Sequence, residues 1–149
     1  MAPASPECAR AIELAATGRV LLLAKDEAPN FQAPSPQGGA AAPLSDEDEI
    51  SLHLQGTLQA GDGLCNPAAV KALVEEGPER IDELIAWGTQ LGRHRTRLVF
   101  GCEGAHLHHR ILHAQGESTR REILRALCAK AHSLKNISRE KCAFSTRSS

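Results

Sequence analysis

The sequence predicts an α/β fold in which an incomplete βαβ unit is followed by an inserted run of short helices. Two observations predict this fold. An Ala-rich helical segment leads through a glycine into the wholly apolar run VLLLA at residues 20–24, and amphipathic segments fill residues 45–90. A third observation, the crowding of histidines between Gly101 and Ala114, indicates where functional chemistry is most expected.

The composition of the chain argues against several classes of function. The 149 residues suffice for one domain and carry a formal net charge of -1. Basic residues are spread along the chain, so neither a nucleic-acid partner nor a membrane partner is predicted. The five cysteines form no Cys-x-x-Cys pair and follow no secretory signal, which favours a reducing, cytoplasmic location. No apolar run approaches the roughly 20 residues that a membrane helix needs.

Residues 1–25 are predicted to be the remnant of a βαβ unit. Cys8 and Ile12 share one face of a helix over residues 7–17 that ends at Gly18, and the apolar run after it predicts a strand buried on both faces. A dinucleotide-binding unit begins with a strand and a G-x-G-x-x-G turn, and residues 1–6 contain neither. We therefore expect the first strand and the glycine-rich phosphate loop to be missing.

Residues 26–44 are rich in Pro, Gly and Ala and show no periodicity, which predicts a long irregular loop. Composition leaves two interpretations of this loop open. It could be a flexible linker. It could equally be a cofactor loop, because Gly38 and Gly39 would let backbone amides approach a phosphate or a ring closely.

Helices are predicted throughout residues 45–90. Ser45 is the expected N-cap of the first, with an acidic first turn that suits the helix dipole. Asn66 caps the second, Gly77 and Pro78 separate it from a third, and Gly88 ends the third. The three predicted helices span residues 46–60, 67–76 and 79–87.

The last third of the chain is predicted to contain a brief strand at residues 97–100 and a helix at residues 118–133. The histidines are then expected on a substrate-side loop within residues 97–117, a common location for functional groups. The side chains predicted to be buried on the last helix are Ile123, Leu124, Leu127, Cys128 and Ala131.

The histidine segment reads GCEGAHLHHRILHA and joins the carboxylate of Glu103 and the guanidinium of Arg110 to four imidazoles. Its residue types permit a metal site, an acid/base and anion-binding site, or histidines with structural hydrogen bonds. His109 and His113 have the i,i+4 spacing of helical zinc ligands, but the cationic Arg110 between them disfavours a metal ion. No metal site is predicted.

The order of the motifs resembles the flavin-binding part of the L-aspartate oxidases, members of the succinate dehydrogenase and fumarate reductase flavoprotein superfamily. The resemblance rests on QGGAAAPL, TLQAGDGLC, VEEGPERIDELIAWG, EGAHLHHRILHA and STRREI, which follow one another here in the family's order. It implies an incomplete FAD-binding Rossmann-like domain with FAD as cofactor. It also implies that the family's capping and C-terminal helical domains lie outside these residues.

The resemblance also implies roles for individual residues. Glu103 falls on the family's glutamate that faces the amino-acid head group of the substrate. His106, Arg110 and His113 match positions around the family's site, but the resemblance implies no specific role for them. It implies no role for His108 and His109 either. No catalytic residue is implied within the chain. The residues implied to contact FAD are Lys25, Gln32, Ala33, Pro34, Ser35, Pro36, Gln37, Gly38 and Gly39.

The activity that the resemblance implies is oxidation of L-aspartate to iminoaspartate, with O2 or fumarate as acceptor, in de novo NAD biosynthesis. Quinolinate synthase would receive the product, and the truncated chain alone is expected to be inactive. Two alternatives stay open. One is a fragment of a fumarate reductase or succinate dehydrogenase flavoprotein, disfavoured because Glu103 would repel a dicarboxylate without an amine. The other is a non-catalytic helical module or gene remnant.

Overall fold

The computed structural model describes residues 5–24, 38–45, 48–102, 108–114 and 118–141. Its helices are α1 (Ser5–Leu14), α2 (Ile50–Ala60), α3 (Pro67–Ala86) and α4 (Thr119–Ser133). Its strands are β1 (Val20–Ala24), β2 (Ala40–Ala41), β3 (Arg93–His94), β4 (Arg97–Leu98), β5 (Phe100–Gly101), β6 (Ile111–Leu112) and β7 (Ile137–Lys141). The predicted mixture of helices and strands is confirmed.

The first structural unit is a parallel pair of strands covered by two helices. β1 pairs in parallel with β7, from Val20 opposite Ile137 to Ala24 opposite Lys141. α1 and α4 pack against each other beside this pair, and their shared core contains Cys8, Ile12, Leu127 and Ala131. The sequence does not predict β7, because the polar residues of ISREK hide the apolar pattern of a strand.

The apolar run of β1 is not buried on both faces in the described part of the chain, so that prediction is wrong. Leu21 and Leu23 are each 59% exposed. Successive side chains of a strand point to opposite faces, and α1 and α4 cover only one face of the β1–β7 pair. The uniform hydrophobicity of the run gave no way to distinguish its two faces.

The described part of residues 45–90 contains two helices where three were predicted. α3 runs without interruption from Pro67 to Ala86, so the predicted break at Gly77 and Pro78 is wrong. Val70, Val74 and Ile81 are buried on one face of α3, on both sides of the proline. A proline inside a helix costs about 3 kcal/mol, and burial of several aliphatic side chains can offset that cost.

The predicted N-cap of α3 is confirmed, whereas the predicted N-cap of α2 is wrong. The Oδ1 atom of Asn66 accepts hydrogen bonds from the backbone nitrogens of Ala68 and Ala69, at 3.0 and 3.3 Å, as expected for a helix with proline at its first position. α2, in contrast, begins at Ile50 with Glu49 as its N-cap, so the prediction of Ser45 is wrong. The carboxylate of Asp48, two residues before α2, instead forms an ion pair with Arg110.

A second sheet holds the histidine segment. β6 is its central strand and pairs antiparallel with β2 on one side and β5 on the other. The histidines were predicted to lie on a loop between the strand at residues 97–100 and the last helix, and that prediction is wrong where β6 lies. Because β6 is short and flanked by polar residues, its apolar pair Ile111 and Leu112 carries no readable strand period. The core beneath this sheet contains Ala42, Ile81, Leu91 and Leu112.

A buried carboxylate joins α4 to the segment that follows α3. Oε1 of Glu122 accepts hydrogen bonds from the backbone nitrogen of Gln90 and from Nη2 of Arg125, both at 2.7 Å, and Oε2 accepts from Nε of Arg125. The Arg125 hydrogen bond lowers the pKa of the Glu122 carboxyl from its ordinary value. A carboxyl with a lowered pKa stabilises the fold above its unfolded pKa, and this contribution is lost as the pH falls through the lowered value.

Helices of membrane-spanning length and hydropathy do not occur in the described part of the chain.

Candidate functional site

A buried ion pair lies at the centre of the candidate site. Nη2 of Arg110 lies 2.7 Å from Oδ1 of Asp48, and their side chains are 3% and 0% exposed. Arg110 immediately precedes β6, and Asp48 lies two residues before α2. The pair therefore fixes the start of α2 to the central strand of the second sheet.

The main chain of Arg110 also joins the two strands that flank β6. Its backbone nitrogen donates to the carbonyl oxygen of Gly101 at 3.1 Å, and its carbonyl oxygen accepts from the backbone nitrogen of Ala42 at 3.1 Å. Arg110 thus holds the ends of both β5 and β2. Glu103 comes two residues after the end of β5, and β2 follows the predicted flavin loop. Its position is set by both its side chain and its backbone.

The Arg110–Asp48 pair is only partly satisfied by the described residues. Nε of Arg110 and Oδ2 of Asp48 are buried and have no hydrogen-bond partner among them. A buried charged group without all of its hydrogen bonds carries a desolvation cost, so loss of the remaining partner should be expensive. Oδ1 of Asp48 also accepts from the backbone nitrogen of Glu49 at 3.0 Å.

The two glycines at the end of the predicted flavin loop differ in their surroundings. A Cβ placed on Gly39 would overlap Cγ2 of Ile111 and lie 2.9 Å from the carbonyl oxygen of Leu112. A Cβ placed on Gly38 would meet nothing within 4 Å. Gly39 is therefore required by close packing on β6, whereas the backbone of Gly38 borders open space among the described residues.

The imidazole of His113 fills the space that two glycines leave on this sheet. A Cβ on Gly39 would lie 3.1 Å from Cε1 of His113, and one on Gly101 would lie 3.6 Å from its Nε2. His113 directly follows β6. Among the described histidines, His113 is the one that lies beside the end of the predicted flavin loop.

The sheet register separates the two halves of the predicted site. Gly39 lies one residue before Ala40, which pairs with Leu112 of β6. Leu112 pairs on its other side with Phe100 of β5, and Cys102 follows Gly101 at the opposite end of β5. Gly39 and Cys102 are therefore about 10 Å apart along the strand direction. The predicted site residues that lie outside the described part of the chain are Lys25, Gln32, Ala33, Pro34, Ser35, Pro36, Gln37, Glu103 and His106.

His108 and His109 precede the buried arginine at the surface: His108 is half-buried and His109 is exposed. Neither comes together with two further His, Cys, Asp or Glu side chains in a cluster suited to a metal ion, as judged over residues 5–24, 38–45, 48–102, 108–114 and 118–141. The prediction of no metal site stays a prediction for the whole chain.

Asp48 and Glu122 are the residues that sequence reasoning missed. Asp48 is one of four consecutive acidic residues, and nothing in the local pattern distinguishes it from Asp46, Glu47 or Glu49. The available signal was Arg110 itself, because an arginine beside the apolar residues Ile111 and Leu112 is rarely buried without a partner for its charge. The identity of that partner depends on the fold.

Replacement of Gly39 by alanine is expected to destabilise the protein by about 1 to 3 kcal/mol, because the new methyl group overlaps Ile111 and the backbone of β6. Gly38→Ala is the matched control. It adds the same methyl group to open space, so it should change stability by less than about 1 kcal/mol. Urea denaturation of both variants measures the difference, and equal midpoints would contradict the close packing at Gly39.

Comparisons with known proteins agree with the motif order. The model of the FAD binding domain family matches residues 8–146. An L-aspartate oxidase from Mesorhizobium japonicum is 43% identical over 102 residues, which cover 68% of this chain and 20% of that protein. A chloroplastic L-aspartate oxidase from Arabidopsis thaliana is 40% identical over 129 residues, covering 86% of this chain and 20% of that protein.

A solved structure shows the same fold. The chain superposes on the FrdA chain of quinol fumarate reductase from E. coli with a TM-score of 0.76 and 23% identity, covering 91% of this chain and 24% of that one. The chain thus spans about a fifth of the length of the L-aspartate oxidases that it matches. The predicted family resemblance and FAD as cofactor are confirmed. The predicted cytoplasmic location stays a prediction, since the Arabidopsis relative is chloroplastic.

Proposed function

We propose that this chain, which belongs to the FAD binding domain family, forms one part of an L-aspartate oxidase: a wall of the flavin site together with the residue that selects an amino-acid substrate. The observation that carries the proposal is the position of Arg110. Its backbone links the strand after the predicted flavin loop to the strand before Glu103. Relatives at 43% and 40% identity support the substrate class.

The described residues fit a flat cofactor at Gly38. Its backbone is exposed, and a Cβ there would meet nothing within 4 Å, while Gly39 is held against β6. A backbone without side chains can approach a ring or a phosphate closely and offer its amides as donors. In the proposed enzyme, residues 38–39 and the loop before them hold FAD, which when bound supplies the two-electron oxidation.

Glu103 is proposed to bind the ammonium group of L-aspartate. A carboxylate next to an ammonium group in a partly desolvated site forms a strong charge-assisted contact. Gly101, two residues before Glu103, is held by the backbone nitrogen of Arg110. The buried Asp48 carboxylate fixes the Arg110 side chain, so Arg110 and Asp48 are positioning residues in this proposal.

The reaction proposed for the complete enzyme converts L-aspartate to iminoaspartate, with O2 or fumarate as the electron acceptor, as a step of NAD biosynthesis. The product would then pass to quinolinate synthase. The domain divisions at residues 1–25, 26–44, 45–90, 97–117 and 118–133 are part of the same proposal. Catalytic groups that move protons are expected from parts of the enzyme that these residues do not include.

A segment exchange tests the proposal. The part of the Mesorhizobium japonicum L-aspartate oxidase that aligns with this chain is replaced by the residues of this chain, and flavin content and L-aspartate oxidation are measured. We expect stoichiometric FAD and L-aspartate-dependent hydrogen peroxide formation. A chimera that folds and holds FAD but oxidises succinate in place of L-aspartate would support the fumarate reductase alternative.

A further inference from the structure

Two cysteines from helices far apart in sequence meet in the first core. Cys8 lies on α1 and is 5% exposed, and Cys128 lies on α4 and packs against the same cluster. Both are free thiols. Neither takes part in the proposed function, and no motif of the sequence predicts that they should be neighbours.

We propose that Cys8 and Cys128 are a modification site: a dithiol pair that a peroxide oxidises to a disulfide joining α1 to α4. The inference is independent of the proposed function, although an oxidase that uses O2 produces hydrogen peroxide itself. It rests on the packing of the two thiols in one core and on the difference in their exposure.

Cys128 lies close enough to Cys8 to raise the pKa of the Cys8 thiol. Burial raises the pKa of the Cys8 thiol to about 11, and the adjacent Cys128 adds to this through its charge and a hydrogen bond. The thiolate is the reactive form of cysteine, so the buried Cys8 stays protonated and is a poor first nucleophile. Cys128 is half-buried and is the thiol that a small oxidant can reach.

The chemistry is balanced with hydrogen peroxide as the oxidant. The Cys128 thiolate attacks one peroxide oxygen, the O–O bond breaks, and hydroxide leaves, which gives a sulfenic acid at Cys128. The Cys8 sulfur then attacks the Cys128 sulfur. The S–O bond breaks, and the leaving hydroxide takes the Cys8 proton as water. Two thiols are oxidised by two electrons, and one peroxide is reduced to two waters.

The disulfide would add a covalent link between the N-terminal half of α1 and α4. Beyond the C-terminal end of α1, the side-chain amide of Asn136 donates hydrogen bonds to the carbonyl oxygens of Ala15 and Gly18, at 2.6 and 2.7 Å. Around Cys8 and Ile12, α1 packs against Leu127 and Ala131 of α4 in the shared core. A bond from Cys8 to Cys128 closes a loop of about 120 residues, and long loops gain most from a disulfide.

The test uses the full chain in which the other cysteines are removed by Cys65→Ser, Cys102→Ser and Cys142→Ser. After treatment with hydrogen peroxide and trypsin, the linked peptides MAPASPECAR and ALCAK are expected by mass spectrometry. The oxidised protein should melt about 5 to 10 °C higher than the reduced protein, and dithiothreitol should reverse the shift. Absence of the linked peptide, or a disulfide between two chains, would overturn the proposal.

Two further variants in the same background test the order of the steps. In Cys8→Ala, dimedone should trap a sulfenic acid at Cys128. In Cys128→Ala, Cys8 should remain a thiol under the same treatment. Mass spectrometry detects the covalent adduct on each cysteine directly, so the result does not depend on equal stability of the two variants. Trapping at Cys8 in Cys128→Ala would contradict the assigned roles.

Discussion

Replacement of Arg110 by methionine is expected to lower the free energy of unfolding by about 3 to 5 kcal/mol, the largest effect of any single substitution considered for this chain. The change removes the cation and leaves the Asp48 carboxylate, which is 0% exposed, without its charged partner. Domains of this size are stable by only about 5 to 15 kcal/mol, so the variant should be close to unfolding. Urea denaturation followed by circular dichroism measures the loss.

Two controls separate the ion pair from the loss of side-chain volume. The double variant Asp48→Leu with Arg110→Met removes both charges and fills the site with apolar atoms, so it should recover most of the stability. Lys71→Met removes the exposed partner of Glu75, whose 3.8 Å contact lies at the surface, and should have no measurable effect. If Arg110→Met is as mild as Lys71→Met, the buried pair does not stabilise the second sheet.

The sequence predicts local structure well where the signal is local. Asn66 before Pro67 is a helix start that depends on neighbouring backbone nitrogens alone, and the structure shows the expected hydrogen bonds. Gly88, which has a φ of 98°, follows the end of α3 for a similarly local reason. These features need no information about the rest of the fold.

Sequence reasoning fails where distant residues decide the outcome. The Arg110–Asp48 contact joins residues 62 positions apart, and any of the four adjacent acids at residues 46–49 could have supplied the carboxylate. Pro78 lies inside a continuous helix because apolar side chains on either side of it are buried. Leu21 and Leu23 are exposed because the described helices cover one face of β1. In each case packing outweighs a local preference.

The motif order predicts the segment of the candidate site, and the structure adds how individual residues of that segment pack. Gly38 and Gly39 lie at the end of the expected loop, where Gly39 packs closely on β6 and Gly38 borders open space among the described residues. Arg110 and His113 had no assigned role in the sequence, yet one holds the central strand and the other lies against Gly39 and Gly101. The resemblance singled out this segment as the predicted site, and packing distinguishes residues that hold the sheet from residues that border open space.

Replacement of Glu103 by glutamine is expected to reduce kcat/KM for L-aspartate by roughly ten- to a hundredfold in an enzyme that carries this segment. Glutamine keeps the shape of glutamate but removes its charge, and a charge-assisted hydrogen bond contributes about 1.5 to 3 kcal/mol. Fumarate has no ammonium group, so its reduction should be unchanged or faster once the repulsion between carboxylates is gone. Steady-state kinetics with both substrates in the segment-exchange enzyme provide the measurement.

The comparison of the two substrates is what makes this experiment specific. A residue that only supports the fold would lower both activities together, since misplacement of the site affects every substrate. Glu75→Gln is a suitable control, because Glu75 is an exposed α3 residue whose described ion-pair partner is Lys71. If Glu103→Gln depresses L-aspartate oxidation and fumarate reduction equally, Glu103 does not bind the ammonium group. The selection of an amino-acid substrate would then have to come from outside this segment.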